Sequence, residues 1–279
     1  MQDNFQVTNS EVQQVTTDEC IIGQKVYGKC RQQDCLKPLD SNTIPTPGMI
    51  QIDSSRSGET ENISGGGLIG TIAPNSIIKF DSTVAGVQLV PNTFSVSDIK
   101  VLSIQPSVFS QDGFYDVTIK YTFAYQINLL DSNGDPIPVT LGAGPGTITN
   151  INAFTTYTKL VPLFGGEAST STVVTLNTLY DPSSVYSQAN PYTLVEAIAN
   201  PLTINIGTYV VGTETEYHAD ITIGLFTIIK LFRIVNMLVA SAGNCDVPVC
   251  DPIQPGDPCE YFNSLPFPFD DFDPPSSLL

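Results

Sequence analysis

The sequence contains no tryptophan and a single histidine, His218. A hydrolase built on a Ser-His-Asp constellation would have to use that one ring, and beside Tyr217 at a predicted strand end it reads instead as a satisfied surface histidine. Basic residues are scarce: 11 Lys and Arg stand against 28 Asp and Glu, for a net charge of -17. A surface of that sign repels phosphate backbones and anionic headgroups, so nucleic acid is a poor partner. Charged residues of both signs reach only 14%, against about a quarter in ordinary domains; Thr, Ser, Asn and Gln fill the space. The opening "MQDNFQVTNSEVQQ" lacks a basic n-region and an apolar h-region, so no secretory signal peptide is expected and synthesis in a cytoplasm is. Cysteine is missing from the whole centre of the chain. The six thiols fall in two clusters, Cys20, Cys30 and Cys35 at the front and Cys245, Cys250 and Cys259 at the back. In a reducing cytoplasm such thiols either hold metal or oxidise later, once the compartment is lost.

The chain divides by composition into four parts: a polar, Cys-bearing arm over 1–48, a linker over 49–67, a strand-rich core over 68–244, and a Cys-bearing tail over 245–279. The linker contains "QIDSSRSGETENISGGG", whose Gly and Ser runs cannot fill a core. In the core the clearest element runs from Tyr115 to Leu129, where Tyr115, Val117, Ile119, Tyr121, Phe123, Tyr125, Ile127 and Leu129 alternate with more polar residues. Period two predicts a long strand with one buried face. Asn133 and Gly134 then form a favoured hairpin pair, with "IPVTL" as the return strand. Further strands are expected around 76–80, 84–90, 99–104, 148–160, 171–176 and 202–211, and "YTLVEAIAN" reads as a short helix. The apolar stretch Ile221 to Ala240 is long enough to span a membrane, but Lys230, Arg233 and Asn236 interrupt it. Its β-branched content favours one or two strands apolar on both faces over an amphipathic helix. The tail, with eight prolines, seven acidic residues and no basic one beyond Gly243, can be neither helix nor central strand. Its aromatics, Tyr261, Phe262, Phe267, Phe269 and Phe272, predict that it docks on something.

The segment "ECIIGQKVYGKCRQQDCLKP" resembles the amino-terminal signature of sporulation proteins of clostridia and related spore formers. "INAFTTYTKLVPLFGGE", "VEAIA" and "ITIGLFTIIKLFRIVNMLVASAGNCDVPVC" resemble the SPOCS-type domain of those proteins, here from about residue 97, and "PCEYFNSLPFPFDDFDPP" resembles their usual ending. The resemblance implies a β-rich domain used to build spore coat, exosporium or appendage layers. It also implies synthesis in a mother cell whose lysis would expose the thiols to oxidant, and a final place on the spore surface. No peptidoglycan-binding module is recognisable, which weakens a recruiting role relative to a building-block role.

The cysteine spacings, C-x9-C-x4-C in front and C-x4-C-x8-C behind, are near mirror images on segments that need not pack in their own core. Disulfides between subunits through Cys20, Cys30, Cys35, Cys245, Cys250 and Cys259 suit that arrangement. A bridge within each cluster and a four-thiolate zinc site are the alternatives, the latter without a histidine to support it. The apolar run Ile21 to Tyr27, with Ile21, Ile22, Val26 and Tyr27, is read as an edge-pairing strand added to a neighbouring subunit's sheet. "SGGGLIG" and "LGAGPGT" lack the strand, helix and Lys-Ser/Thr context of a phosphate loop and read as turns. Asp131, Asn133 and Asp135 imitate a calcium loop, but Pro136 and Gly142 stand at its essential Gly and Glu places, which leaves a hairpin. Asp270, Asp271 and Asp273 are read as a solvated acidic tail in preference to a site for a hard cation at a subunit contact. The expected fold is all-β, a single antiparallel β-sandwich of jelly-roll type. The expected function is a self-assembling structural subunit, without catalytic residues, metal or cofactor. Its partners are further copies of itself and other spore-surface proteins. A non-polymerising scaffold that recruits another coat protein is the rival, and an oxidation- or metal-responsive protein a second.

Overall fold

The computed structural model describes residues 19–38, 48–53, 77–80, 82–108, 112–140, 147–167, 173–175, 185–187, 190–211, 214–239 and 258–268. Its strands are β1 (Glu19–Leu36), β2 (Gln51–Ile52), β3 (Lys79–Phe80), β4 (Gly86–Leu89), β5 (Ser95–Pro106), β6 (Phe114–Leu130), β7 (Val139–Thr140), β8 (Thr147–Ile148), β9 (Ile151–Phe164), β10 (Val173–Thr175), β11 (Val185–Ser187), β12 (Tyr192–Val211) and β13 (Glu214–Val239). The one described helix is α1 (Pro258–Ser264). Two antiparallel sheets face each other across one core, so the chain is an all-β sandwich.

In sheet I, β13 is flanked by β12 and by β1, with β3 continuing along the β1 edge. In sheet II the order is β2, β9, β6, and the far side of β6 is shared by β5 and β4. The alternation read from β6 holds along its whole length: the eight side chains from Tyr115 to Leu129 are buried and face sheet I. The turn after β6 is tied by the Asp131 carboxylate, whose Oδ1 accepts the backbone N–H groups of Asn133 (2.8 Å) and Asp135 (3.0 Å). Gly134 takes the positive φ of 85° that such a turn needs. The return strand is shorter than expected. Ile137 donates to the Leu129 carbonyl at 2.8 Å, but β9 occupies the β6 edge from Ile127 onward, and Val139 and Thr140 turn away to pair with β8.

The stretch from Ile221 resolves as part of β13, a single strand of 26 residues. Every side chain from His218 to Phe226 and on to Ile229 is buried, as expected for a strand apolar on both faces. Ala219, Ile221, Ile223, Leu225, Ile229 and Leu231 point to sheet II, while Phe226 and Ile228 belong to a second cluster on the opposite face. No described helix is long and apolar enough to cross a membrane.

Three expectations are overturned. "YTLVEAIAN" is strand: it forms the start of β12, paired from Tyr192↔Phe232 to Asn200↔Gly224. Its Val195, Ala197 and Ala199 alternate into the core and Ile198 packs outward, so pairing with β13 overrides local helix preference. The linker does not begin at residue 49, because Ile50 and Ile52 are fully buried and β2 pairs with β9 through Gln51↔Phe154 and Ile52↔Ala153; residues 54–76 lie outside the described segments. The arm is no separate part, since β1 pairs with β13 of its own chain from Glu19↔Val239 to Leu36↔Ile223.

Candidate functional site

The residues singled out in the sequence meet on the outer face and one end of sheet I. A bulge in β1 between Val26 and Gly28 sets which side chains face where. Beyond it Cys30, Asp34 and Leu36 are buried in the interior, and Arg31, Gln33 and Cys35 turn outward to the tail. The bulged residue, Tyr27, lies against Gly166, where a Cβ would come within 2.7 Å of its ring. At Gly28 a Cβ would overlap the Phe164 carbonyl oxygen, so the glycine admits the end of β9 against β1. Arg233 closes this end: its Nε donates to the Gly165 carbonyl at 2.8 Å, and its Nη2 to the Tyr115 hydroxyl at 3.0 Å and the Gly166 carbonyl at 3.2 Å. Val26 to Gly28, Leu163 to Gly166 and Arg233, drawn from three segments far apart in sequence, thus converge. The edge-pairing reading of Ile21, Ile22, Val26 and Tyr27 is corrected accordingly: this segment docks on its own subunit, because β13 is long enough to take it.

On the outer face the tail is clasped to β1. Cys35 and Cys259 form a disulfide with a Cα–Cα distance of 5.1 Å across 224 residues of sequence. The Gln33 amide donates to the Phe262 carbonyl oxygen, and the Arg31 guanidinium stands 5.5 Å from the Phe267 ring centre. Phe262, fully buried, tilts against Phe226 at 4.4 Å between ring centres, and Phe267 meets Phe226 edge-on at 5.5 Å. Gly224 makes the seat: a Cβ there would come within 2.4 Å of the Phe262 ring. The tail expectation is corrected in one respect, since 258–264 are helical. Pro258 starts the helix, where its missing N–H costs nothing.

This pairing also corrects the cysteine assignment. The Cys35–Cys259 bridge joins the front cluster to the back one inside a single chain, which neither a link between subunits nor a bridge within a cluster provides. Cys30 keeps a free thiol but is buried, so in this fold it cannot reach a neighbour. Cys20 pairs by backbone with Leu238; its side chain, Cys245 and Cys250 lie outside what is described.

A polar layer crosses the interior beneath β1. Lys159 on β9 forms an ion pair with Asp34 at 2.5 Å, tying the sheets together. Tyr121 and Tyr157 stack beside it at 6.2 Å between ring centres. Burial, and then the Asp34 charge, push the Tyr157 phenol up to about 12 and raise Tyr121 as well. Deeper in, the Tyr125 hydroxyl lies 2.6 Å from Thr155 Oγ1, and burial raises Tyr125 in the same direction. His218 is fully buried rather than on the surface: its strand pairs with Lys79 on one side and Gly207 on the other. The Asp131 carboxylate, held below the usual carboxylate range by the backbone N–H groups of Asp135 and Asn133, fastens a turn. Among the described residues no three His, Cys, Asp or Glu side chains are placed to hold a metal ion; Asp270, Asp271 and Asp273 fall outside them. The chemistry this arrangement offers is covalent closure and reductive opening of the clasp. Sequence reasoning missed Asp34 and Lys159, and it read Arg233 only as an interruption of the apolar stretch rather than as the residue that closes this end.

No protein-family model, curated protein or solved structure matches the chain.

Proposed function

We propose that this chain is a structural building block of a bacterial endospore surface, in a coat or exosporium layer or an appendage, and that it assembles with copies of itself through its sheet edges. The observation that carries the assembly is the flank formed by β12 and β5. Among the described residues β12 pairs only with β13, and β5 only with β6, so strands of 20 and 12 residues present outer edges along one side of the sandwich. Long edges of this kind template further pairing unless blunted. Val101, Leu102 and Val108, on or just beyond β5, are exposed apolar side chains. The spore setting rests on the resemblance of the segments around Cys30, Leu163, Arg233 and Phe267. Strand exchange through residues 21–27 is replaced in this reading, since β1 already completes its own sheet. The Cys35–Cys259 clasp hardens each unit after oxidation, and any bond between units falls to Cys20, Cys245 and Cys250.

Negative-stain electron microscopy of the purified chain over a rising concentration series tests this. Ordered fibres or sheets are expected, and they should be lost when lysines replace Val101 and Leu102. A monodisperse monomer at every concentration refutes self-assembly and favours the recruiting scaffold. Absence of the chain from spores probed with antibody removes the spore setting.

A further inference from the structure

Two rows of side chains from sheet I meet two rows from sheet II in the interior beneath β1. On sheet I, Gln32 pairs with Thr227 and Asp34 with Leu225 in the register of β1 and β13. On sheet II, Tyr121 pairs with Tyr157 and Ile119 with Lys159 in the register of β6 and β9. The contact of Lys159 with Asp34 at 2.5 Å holds one row over its counterpart, and Thr227 comes to lie beside Tyr121. The phenol registers both neighbours: burial and then the Asp34 charge raise it, and the Thr227 hydroxyl offsets part of that rise. Asp34, Tyr121 and Thr227 are at most 2% exposed. Gln32 is half-buried, with its Oε1 closed off from solvent. Four buried oxygens at this junction find no hydrogen-bond partner among the described residues: Gln32 Oε1, Asp34 Oδ2, Tyr121 Oη and Thr227 Oγ1.

Leaving buried polar atoms in that state is costly against the small net stability of a domain. The chemistry of the set says what satisfies it. The Asp34 carboxylate and the Gln32 carbonyl only accept, whereas the Tyr121 and Thr227 hydroxyls each have a proton to donate. Tyr121 and Thr227 are neighbours that close no hydrogen bond with each other, the arrangement a bridging molecule suits. A cation would complement the two acceptors alone, and Lys159 already balances the Asp34 charge. An anion would be set against that carboxylate. Water, with two protons to give and lone pairs to receive two, matches all four atoms. We propose that this junction is a binding site for one internal water molecule, which donates to Asp34 Oδ2 and Gln32 Oε1 and accepts from the Tyr121 and Thr227 hydroxyls. It thereby joins β1 and β13 of sheet I to β6 of sheet II, next to the Asp34–Lys159 pair. Buried waters make two to four such bonds, and the entropy lost in holding one is small beside the bonds gained.

The test has two readouts on the full-length oxidised chain. A crystal structure at a resolution that shows ordered waters should place a single isolated density peak about 2.7–3.1 Å from the four oxygens. Oxygen-17 magnetic relaxation dispersion counts the waters held longer than the protein tumbles. The double variant Tyr121→Phe, Thr227→Val, which removes both donors, should lower that count by one, and Thr227→Ser, which keeps the donor, should leave it unchanged. Direct bonding of the four oxygens to protein groups, a metal cation at the site identified by its anomalous scattering, or a count unaltered in the folded double variant would overturn the assignment. Should the double variant fail to fold, the density in the wild-type crystal decides.

Discussion

Opening the Cys35–Cys259 bridge should cost the folded chain a large share of its stability and release the tail. The bridge closes a loop of 224 residues, and the chain-entropy relation for loops of that length gives about 5 kcal/mol at 25 °C. The tail cannot hold itself on without the bridge. A helix of seven residues is far below the length of about 12 to 15 residues that is marginal alone. Ordering its backbone costs on the order of 1 kcal/mol or more per residue. Against this, burial of Phe262 contributes roughly 1.5–3 kcal/mol and its contact with Phe226 about 1 kcal/mol. The assay is urea unfolding of the oxidised chain against the double variant Cys35→Ser, Cys259→Ser, followed by far-ultraviolet circular dichroism because the chain has no tryptophan. With a slope of roughly 3 kcal/mol per molar urea, the midpoint should fall by about 1.7 M. A dye that binds exposed apolar surface should also bind the variant before unfolding, since Phe226 and Ile228 lose their cover. A midpoint shift under about 0.3 M, or no added dye binding, would refute the clasp as a stabilising device.

Four further outcomes follow from the same geometry. Gly224→Ala should destabilise by about 1–3 kcal/mol through its overlap with Phe262, whereas Gly86→Ala, whose nearest neighbour would stand at 3.5 Å, should be close to neutral; urea midpoints compare them. Lys159→Met leaves the buried Asp34 carboxylate alone and should cost about 3–5 kcal/mol, while Asp34→Leu added to it should recover most of that loss; a double-mutant cycle reads the coupling. Tyr157 is raised from 10.0 to about 12, and Tyr121 and Tyr125 are raised too, so the unfolded chain ionises first. Stability from these phenols is fully present below pH 10 and lost as pH rises toward 12 and beyond, with their phenolate absorbance appearing only as dichroism collapses; early ionisation of all 11 tyrosines in a folded chain would contradict it. Removing residues 1–38 should abolish cooperative unfolding, because β1 pairs one edge of β13 from Ile223 to Val239 and brings buried Cys30 and Leu36; a soluble, folded product would refute the placement of β1.

The elements legible in the sequence were those whose signal is local. The period of β6 is decided by its own residues, and the apolar run in β13 announces burial on both faces. What stayed hidden depended on a partner far away in sequence. Residues 192–200 have helix-compatible composition, and only the β13 register makes them strand. Cys35 and Cys259 have no spacing relation, because the bulge at Tyr27 decides that Cys35 faces outward and Cys30 inward. The arm's apolar residues correctly announced an edge-pairing strand, but composition could not say whose edge, and the 26 residues of β13 answered it in favour of the same chain. The Asp34–Lys159 pair stayed hidden because buried charge contradicts the apolar pattern by which a core is recognised, and for the same reason Arg233 reads in the sequence only as a break in an apolar run.

The central claim is that both cysteine-bearing ends belong to their own sandwich. Mass-spectrometric mapping of the oxidised, alkylated and digested chain, taken from a non-reducing gel, tests it most directly. The prediction is a 30.0 kDa band that yields a linked peptide pair joining Cys35 to Cys259 within one chain, with Cys30 labelled only after denaturation. Cys35 found bonded to any other cysteine, or to Cys259 only in bands of two or more chains, would contradict it.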